Sequence, residues 1–266
     1  MQNLAAEPLV VACAQTDIAW ECPRENLPRI ERFIARAARQ GVHLLIFPEV
    51  PLTGFTMHLP AMAQAEPYPH ALRVKEWAEQ YNVAVGLTLL VRQGDRVFNR
   101  AFFFTPQGET FTQDKRHLFR MAGERDKVSP ARQMNTFTYR GWRIRPIVCY
   151  DLRFPVWSRN TPPYYDLLLV LSNWPRARAA AWNILLQARA VENLCYVCGV
   201  NRVGTDPQGV VYQGDSRIIS FKGEVMAQAT PMQEELVSAT LDASALKTFR
   251  ERFPAHLDAD AFTLSL

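Results

Sequence analysis

Apolar residues run in two rhythms along this chain. "PLVVACAQTD" at 8–17 is apolar without a break through Ala14, as expected of a strand buried on both faces. "PRENLPRIERFIARAARQG" at 23–41 changes period: Leu27, Ile30, Phe33, Ile34 and Ala37 recur at helical spacing, and Gly41 supplies the stop. "VHLLIFPEV" at 42–50 predicts a second buried strand ended by Pro48, and "HALRVKEWAEQYN" at 70–82 a second amphipathic helix. The stretch "VAVGLTLLVRQGDRVFNRAFFFTPQGET" holds two or three strands joined by glycine-bearing turns.

The second half repeats the plan. "WRIRPIVCYD" and "YYDLLLVLSNWP" (164–175) predict strands, "ARAAAWNILLQARAVENL" (177–194) a long helix, and "CYVCGVNRVG" (195–204) another strand. "HLLIFPE" and "DLLLVLSNWP" share a shape, a buried strand running into a proline-bearing loop, which makes a weak internal repeat. Prolines and glycines are scattered singly, so no linker divides the chain. Buried strands alternating with amphipathic helices predict a single α/β domain with sheets covered by helices.

Composition narrows the function classes. The chain has 266 residues, 48% of them hydrophobic, enough for one large core. The net charge is +4, and the densest basic group (Lys115, Arg116, Arg120, Arg125) is interrupted by Phe119, Met121 and Glu124. A nucleic-acid footprint needs a clustered stripe, so no nucleic-acid partner is expected. No apolar run approaches membrane-spanning length, and the opening residues lack the basic and apolar regions of a secretory signal. Five cysteines, an odd number, fit reduced thiols and a cytoplasmic location better than a disulfide scaffold.

Two reactive side chains stand where apolar runs end, and a third follows the hairpin-like stretch "FFFTPQGETFTQ". Glu49 follows "LLIFP", Lys115 lies in "TQDKRHLF", and Cys149 sits in "IVCYDLRFP". Singly, each has an ordinary reading: strand-end glutamates and loop lysines face solvent, and free cysteines are small core residues. Cys13 reads as core, Cys22 as an exposed loop thiol, and His117 as a surface residue. "CYVC" has metal-like spacing, but Cys195 and Cys198 fall on opposite faces of a strand and no second pair completes a zinc site. The histidines show no HExxH pairing and no GxGxxG occurs, so neither a metal nor a nucleotide cofactor is expected.

In combination these residues carry a resemblance. "FPEVPLTGF" (47–55), "DKRHLF" (114–119) and "CYDLRFP" (149–155) resemble, in order, the glutamate, lysine and cysteine motifs of the nitrilase (carbon–nitrogen hydrolase) superfamily. "SNWP" (172–175), "QARAVEN" (187–193) and "GDSRIISFKGE" (214–224) extend the similarity over about 8–242, leaving 243–266 as a C-terminal extension. The resemblance implies a four-layer αββα sandwich, paired into a homodimer through a helical layer. It also implies a cofactor-free enzyme taking a small amide and water, with Cys149 as nucleophile, Glu49 as base and Lys115 as oxyanion stabiliser. Glu124, Tyr150, Arg153 and Trp174 would position the substrate.

The form "CYDLRFP" with "SNWP" is most similar to the omega-amidase branch, which acts on 2-oxoglutaramate and 2-oxosuccinamate; Arg153, Arg176 and Arg178 are candidates for the substrate carboxylate. A general aliphatic amidase or a carbamoyl-amine hydrolase is the alternative. Two rivals lie outside the superfamily. A Cys–His hydrolase would need an essential histidine, and a catalytically silent scaffold would leave Cys149 unlabelled by substrate.

Overall fold

The computed structural model describes residues 7–264. Residues 1–6, which are part of the segment read above for a secretory signal, lie outside the described residues.

The first half builds one sheet and its helical cover. It contains β1 (Leu9–Gln15), α1 (Pro23–Arg39), β2 (Leu44–Ile46), α2 (Leu59–Met62), β3 (Gln64–Ala65) and α3 (Pro69–Tyr81). Three further strands follow: β4 (Ala84–Gln93), β5 (Arg96–Phe104) and β6 (Thr110–Asp114). The second half adds α4 (Glu124–Lys127), β7 (Phe137–Tyr139), β8 (Trp142–Val148), α5 (Pro155–Ser158), β9 (Leu167–Ser172), α6 (Ala179–Asn193) and β10 (Tyr196–Asn201). The chain ends with β11 (Val203–Thr205), β12 (Val211–Gln213), β13 (Arg217–Ile219), β14 (Val225–Gln228), β15 (Glu235–Leu241) and α7 (Ala243–Arg252).

The first sheet runs β15-β1-β2-β4-β5-β6, and the second runs β14-β13-β10-β9-β8-β7. In each, three central strands are parallel (β1, β2 and β4; β10, β9 and β8), with antiparallel strands outside them. Strand alternation sorts the side chains into layers. Leu9, Val11 and Cys13 meet Leu167, Leu169 and Cys198 between the sheets. Ala12 and Ala14 turn the other way, onto Ile30, Ile34 and Val74 of α1 and α3. On the far side, Leu168, Val170 and Val197 pack under Trp182, Leu186 and Ala190 of α6. The order of layers is helix, sheet, sheet, helix: the αββα sandwich.

Most strands are shorter than the runs that predict them, and two of these departures place chemistry. The run at 42–50 is strand only over Leu44–Ile46, because Pro48 has no N–H to continue a ladder and Val50 adopts a positive φ of 40°. The run at 142–151 stops at Val148, since Cys149 turns to φ 46° and opens a 3₁₀ turn over Cys149–Arg153. The C-terminal segment beyond the last strand buries Ala243 and Leu246 of α7 against the core between the sheets.

Candidate active site

Glu49, Lys115 and Cys149 arrive from different elements and open onto one cavity of about 460 Å³. Glu49 sits in the loop after β2, a loop pinned where Thr88 Oγ1 of β4 accepts the Val50 N–H at 2.6 Å. Lys115 follows β6, and its own N–H donates to the Asn99 carbonyl of β5 at 2.9 Å. Cys149 caps β8 in a left-handed conformation that a side chain occupies at a cost of about 1–3 kcal/mol.

Lys115 and Glu49 are withdrawn from solvent and paired. The Lys115 ammonium donates to Glu49 Oε1 at 2.8 Å and to both Glu124 oxygens at 3.0 and 2.9 Å. An isolated charge in such a place would be prohibitively costly, so the group survives only because every member is bonded. Glu49 also accepts from Asn99 Nδ2 at 2.8 Å and from the Asn173 N–H at 3.2 Å. Glu124 accepts the Phe119 N–H at 2.6 Å. Two carboxylates around one ammonium leave a net negative charge. Burial pulls the Lys115 pKa down, but Glu124 and Glu49 outweigh it and raise it, so Lys115 stays an ammonium. Burial raises the Glu124 pKa, Lys115 opposes this, and the charge of Glu49 adds to it.

Cys149 is held as a thiol in the resting site. Burial raises its pKa and the Glu49 charge reinforces that, against opposition from Lys115. The residue is only half-buried because it opens to the cavity, so water there tempers the effect of burial on the sulfur. Ser172 Oγ–H donates to the sulfur at 3.1 Å, and the Asn173 carbonyl accepts from it at 3.8 Å. A resting thiol beside a buried carboxylate can ionise as it attacks, with Glu49 receiving the proton. The ammonium can then meet the oxyanion that forms.

The other sequence-derived candidates divide. Tyr150, Arg153 and Trp174 line the cavity, with the Arg153 guanidinium 4.9 Å above the Trp174 ring. Arg178 also reaches the wall, over Phe119 at 5.4 Å, whereas Arg176 is exposed and does not line it. Glu124 does not line the cavity; it lies behind Lys115. His117 is less exposed than expected: Nδ1 lies 2.8 Å from Asp151 and the ring stacks on Phe154. Cys195 and Cys198 occupy different layers, and Cys198 instead approaches Cys13 at 3.3 Å.

Sequence reasoning missed Asn99, Ser172 and the β11–β12 hairpin, which brings Asp206 and Tyr212 to the cavity mouth. Asn99 left one signal, a lone amide in "VFNRAFFF", where every other residue except Arg100 is apolar; the hairpin left none.

Comparison with known proteins agrees with this geometry. A sequence profile described as carbon-nitrogen hydrolase matches residues 10–251. "Omega-amidase YafV" of Yersinia enterocolitica is 40% identical over 257 residues, covering 96% of this chain and 98% of that protein. The "2-oxoglutaramate amidase" of Bacillus subtilis is 30% identical over 252 residues, covering 93% and 96% respectively. The crystal structure of XC1258 from Xanthomonas campestris, a CN-hydrolase superfamily protein with an arsenic adduct in its active site, superposes with a TM-score of 0.93. That chain is 38% identical, and the match covers 97% of this chain and all 100% of that one. With its sandwich fold and near-full-length matches, this chain belongs to the carbon–nitrogen hydrolase family.

Proposed function

We propose that the chain hydrolyses the terminal amide of short 2-oxo acid amides such as 2-oxoglutaramate, releasing ammonia and the 2-oxo dicarboxylic acid. The observation that carries this reading is the buried Lys115 ammonium bonded to Glu49 and Glu124 in a cavity shared with Cys149. The names borne by the relatives supply the substrate class.

In the proposed cycle Glu49 takes the Cys149 proton as sulfur attacks the amide carbon. The tetrahedral oxyanion is met by the Lys115 ammonium and the Tyr150 N–H. Collapse breaks the C–N bond, Glu49 returns the proton to the departing ammonia, and a thioester remains on Cys149. Water enters, Glu49 takes its proton, and hydrolysis restores the thiol. Arg153 and Arg178, which make no ion pair among the described residues, offer the cavity wall two cations for the substrate carboxylate.

The test is ammonia release from 2-oxoglutaramate and from a carboxylate-free amide of similar length. Wild type should prefer the acid. Cys149→Ala should abolish turnover of both while keeping its fold, and Arg153→Ala should raise KM for the acid alone. Intact-mass spectrometry with a slow substrate should place an acyl adduct on Cys149. An active Cys149→Ala protein defeats the mechanism; a wild type indifferent to the carboxylate defeats the 2-oxo acid reading and leaves a general aliphatic amidase.

We also propose a cytoplasmic homodimer. The five cysteines are free thiols, as a reducing compartment would keep them. Helix α6 shows solvent Ile184 and Val191, 65% and 51% exposed and two turns apart on one face. Among the described residues no helix is long and apolar enough to cross a membrane.

A further inference from the structure

We infer that Asp151 is a positioning residue that locks the nucleophile elbow to the lysine segment and thereby sets the distance between Cys149 and Lys115. The inference rests on the assignment of those two residues to catalysis. Cys149 follows a strand of the second sheet and Lys115 an edge strand of the first, so no common strand fixes their separation. Among the described residues, one side chain bonds backbone on both sides of that gap. The fully buried Asp151 carboxylate accepts the Val148 N–H through Oδ2 at 3.1 Å, immediately before the nucleophile. The same oxygen accepts the Arg116 N–H at 3.4 Å, immediately after Lys115. Oδ1 accepts the His117 N–H at 2.7 Å and lies 2.8 Å from His117 Nδ1.

Asp151 does not line the cavity, so substrate contact is not its role. Elsewhere the elbow meets the lysine segment through ring contacts, Tyr150 edge-on to Phe119 at 5.1 Å and Phe154 stacked on His117 at 3.7 Å, while Arg189 of α6 donates to the Leu152 carbonyl at 2.6 Å. Cys149 itself holds a positive φ that relaxes unless its surroundings enforce it. Without the carboxylate, the elbow stays anchored to α6, but only ring contacts, which are less directional than hydrogen bonds, are left to set its spacing from Lys115. A shift of about 1 Å between reacting groups costs on the order of 10²-fold in rate, while leaving the walls that bind substrate in place.

The experiment compares steady-state kinetics and thermal melts of wild type, Asp151→Asn, Asp151→Ala and Cys149→Ala. Asparagine keeps the shape but puts an NH₂ donor against one of the N–H donors. Folded Asp151→Asn should lose about 10²-fold in kcat with KM within about threefold of wild type, and Asp151→Ala should lose at least as much. The inference is overturned if folded Asp151→Asn keeps more than a third of wild-type kcat, or if KM rises while kcat holds. It is equally overturned if neither variant folds, since the carboxylate then supports the whole molecule rather than one pair of loops. An active Cys149→Ala protein would instead remove the catalytic assignment beneath it, whatever the Asp151 variants do.

Discussion

Glu124 is a buried side chain through which the proposed mechanism would tie turnover to pH. Burial raises its pKa and the neighbouring Glu49 charge adds to that, so Glu124 takes up its proton above the 4.5 of a free glutamate. Its charged form, which pairs with Lys115, is therefore lost as pH falls through that raised value. We expect kcat/KM to have an acid limb above pH 4.5, and Glu124→Gln to lower the rate by tenfold or more and displace that limb. A limb at the same pH in both proteins would assign it to another group. Glu49 and Cys149 were legible as reactive groups at the ends of apolar runs, and Lys115 because its motif stands between theirs in a known order. Asn99 was not, since an amide inside a strand reads as a weak strand position until the fold shows it touching Glu49. Asp151 lay in plain view within "CYDLRFP", but its bonds reach residues 34 and 35 positions away, which no local pattern reveals.

At the scale of elements, α6 serves two surfaces at once. Trp182, Leu186 and Ala190 face the second sheet, while Ile184 and Val191 face solvent. If this outer stripe pairs two copies, Ile184→Asp should convert the dimer to monomer in light scattering while the melting temperature of the monomer stays near that of wild type. A wild type that is monomeric at micromolar concentration would remove the stripe from consideration. The long periodic helices were read from sequence to within two residues of their ends, because their apolar spacing is unambiguous. Strand ends were read less well: the apolar runs around Glu49 and Cys149 continue past the ladder, where proline and a left-handed residue break it. The β11–β12 hairpin escaped because its strands are three residues each and carry no alternation to detect.

Across the whole molecule, the layers interlock more tightly than a repeat of two halves implies. Helix α7, in the segment read as a C-terminal extension, sends Leu246 into the core between the sheets with none of its surface exposed. Leu246→Ala should cost about 2–5 kcal/mol by leaving a cavity there, seen as a lower denaturation midpoint with an unchanged slope. A loss under about 1 kcal/mol would mean that α7 merely rests on the core. The sandwich was legible from the alternation of buried strands and amphipathic helices, but this closure was not, because only contacts distant in sequence create it. The most distant is the pairing of β15 with β1, in register from Leu9 against Leu241 to Gln15 against Glu235. During synthesis β1 waits until β15 has emerged before its outer partner exists. The Glu49 loop, the lysine segment and the cysteine elbow all leave the ribosome earlier than that partner. A nascent chain can thus carry every reactive group of the site while its first sheet is still missing an edge.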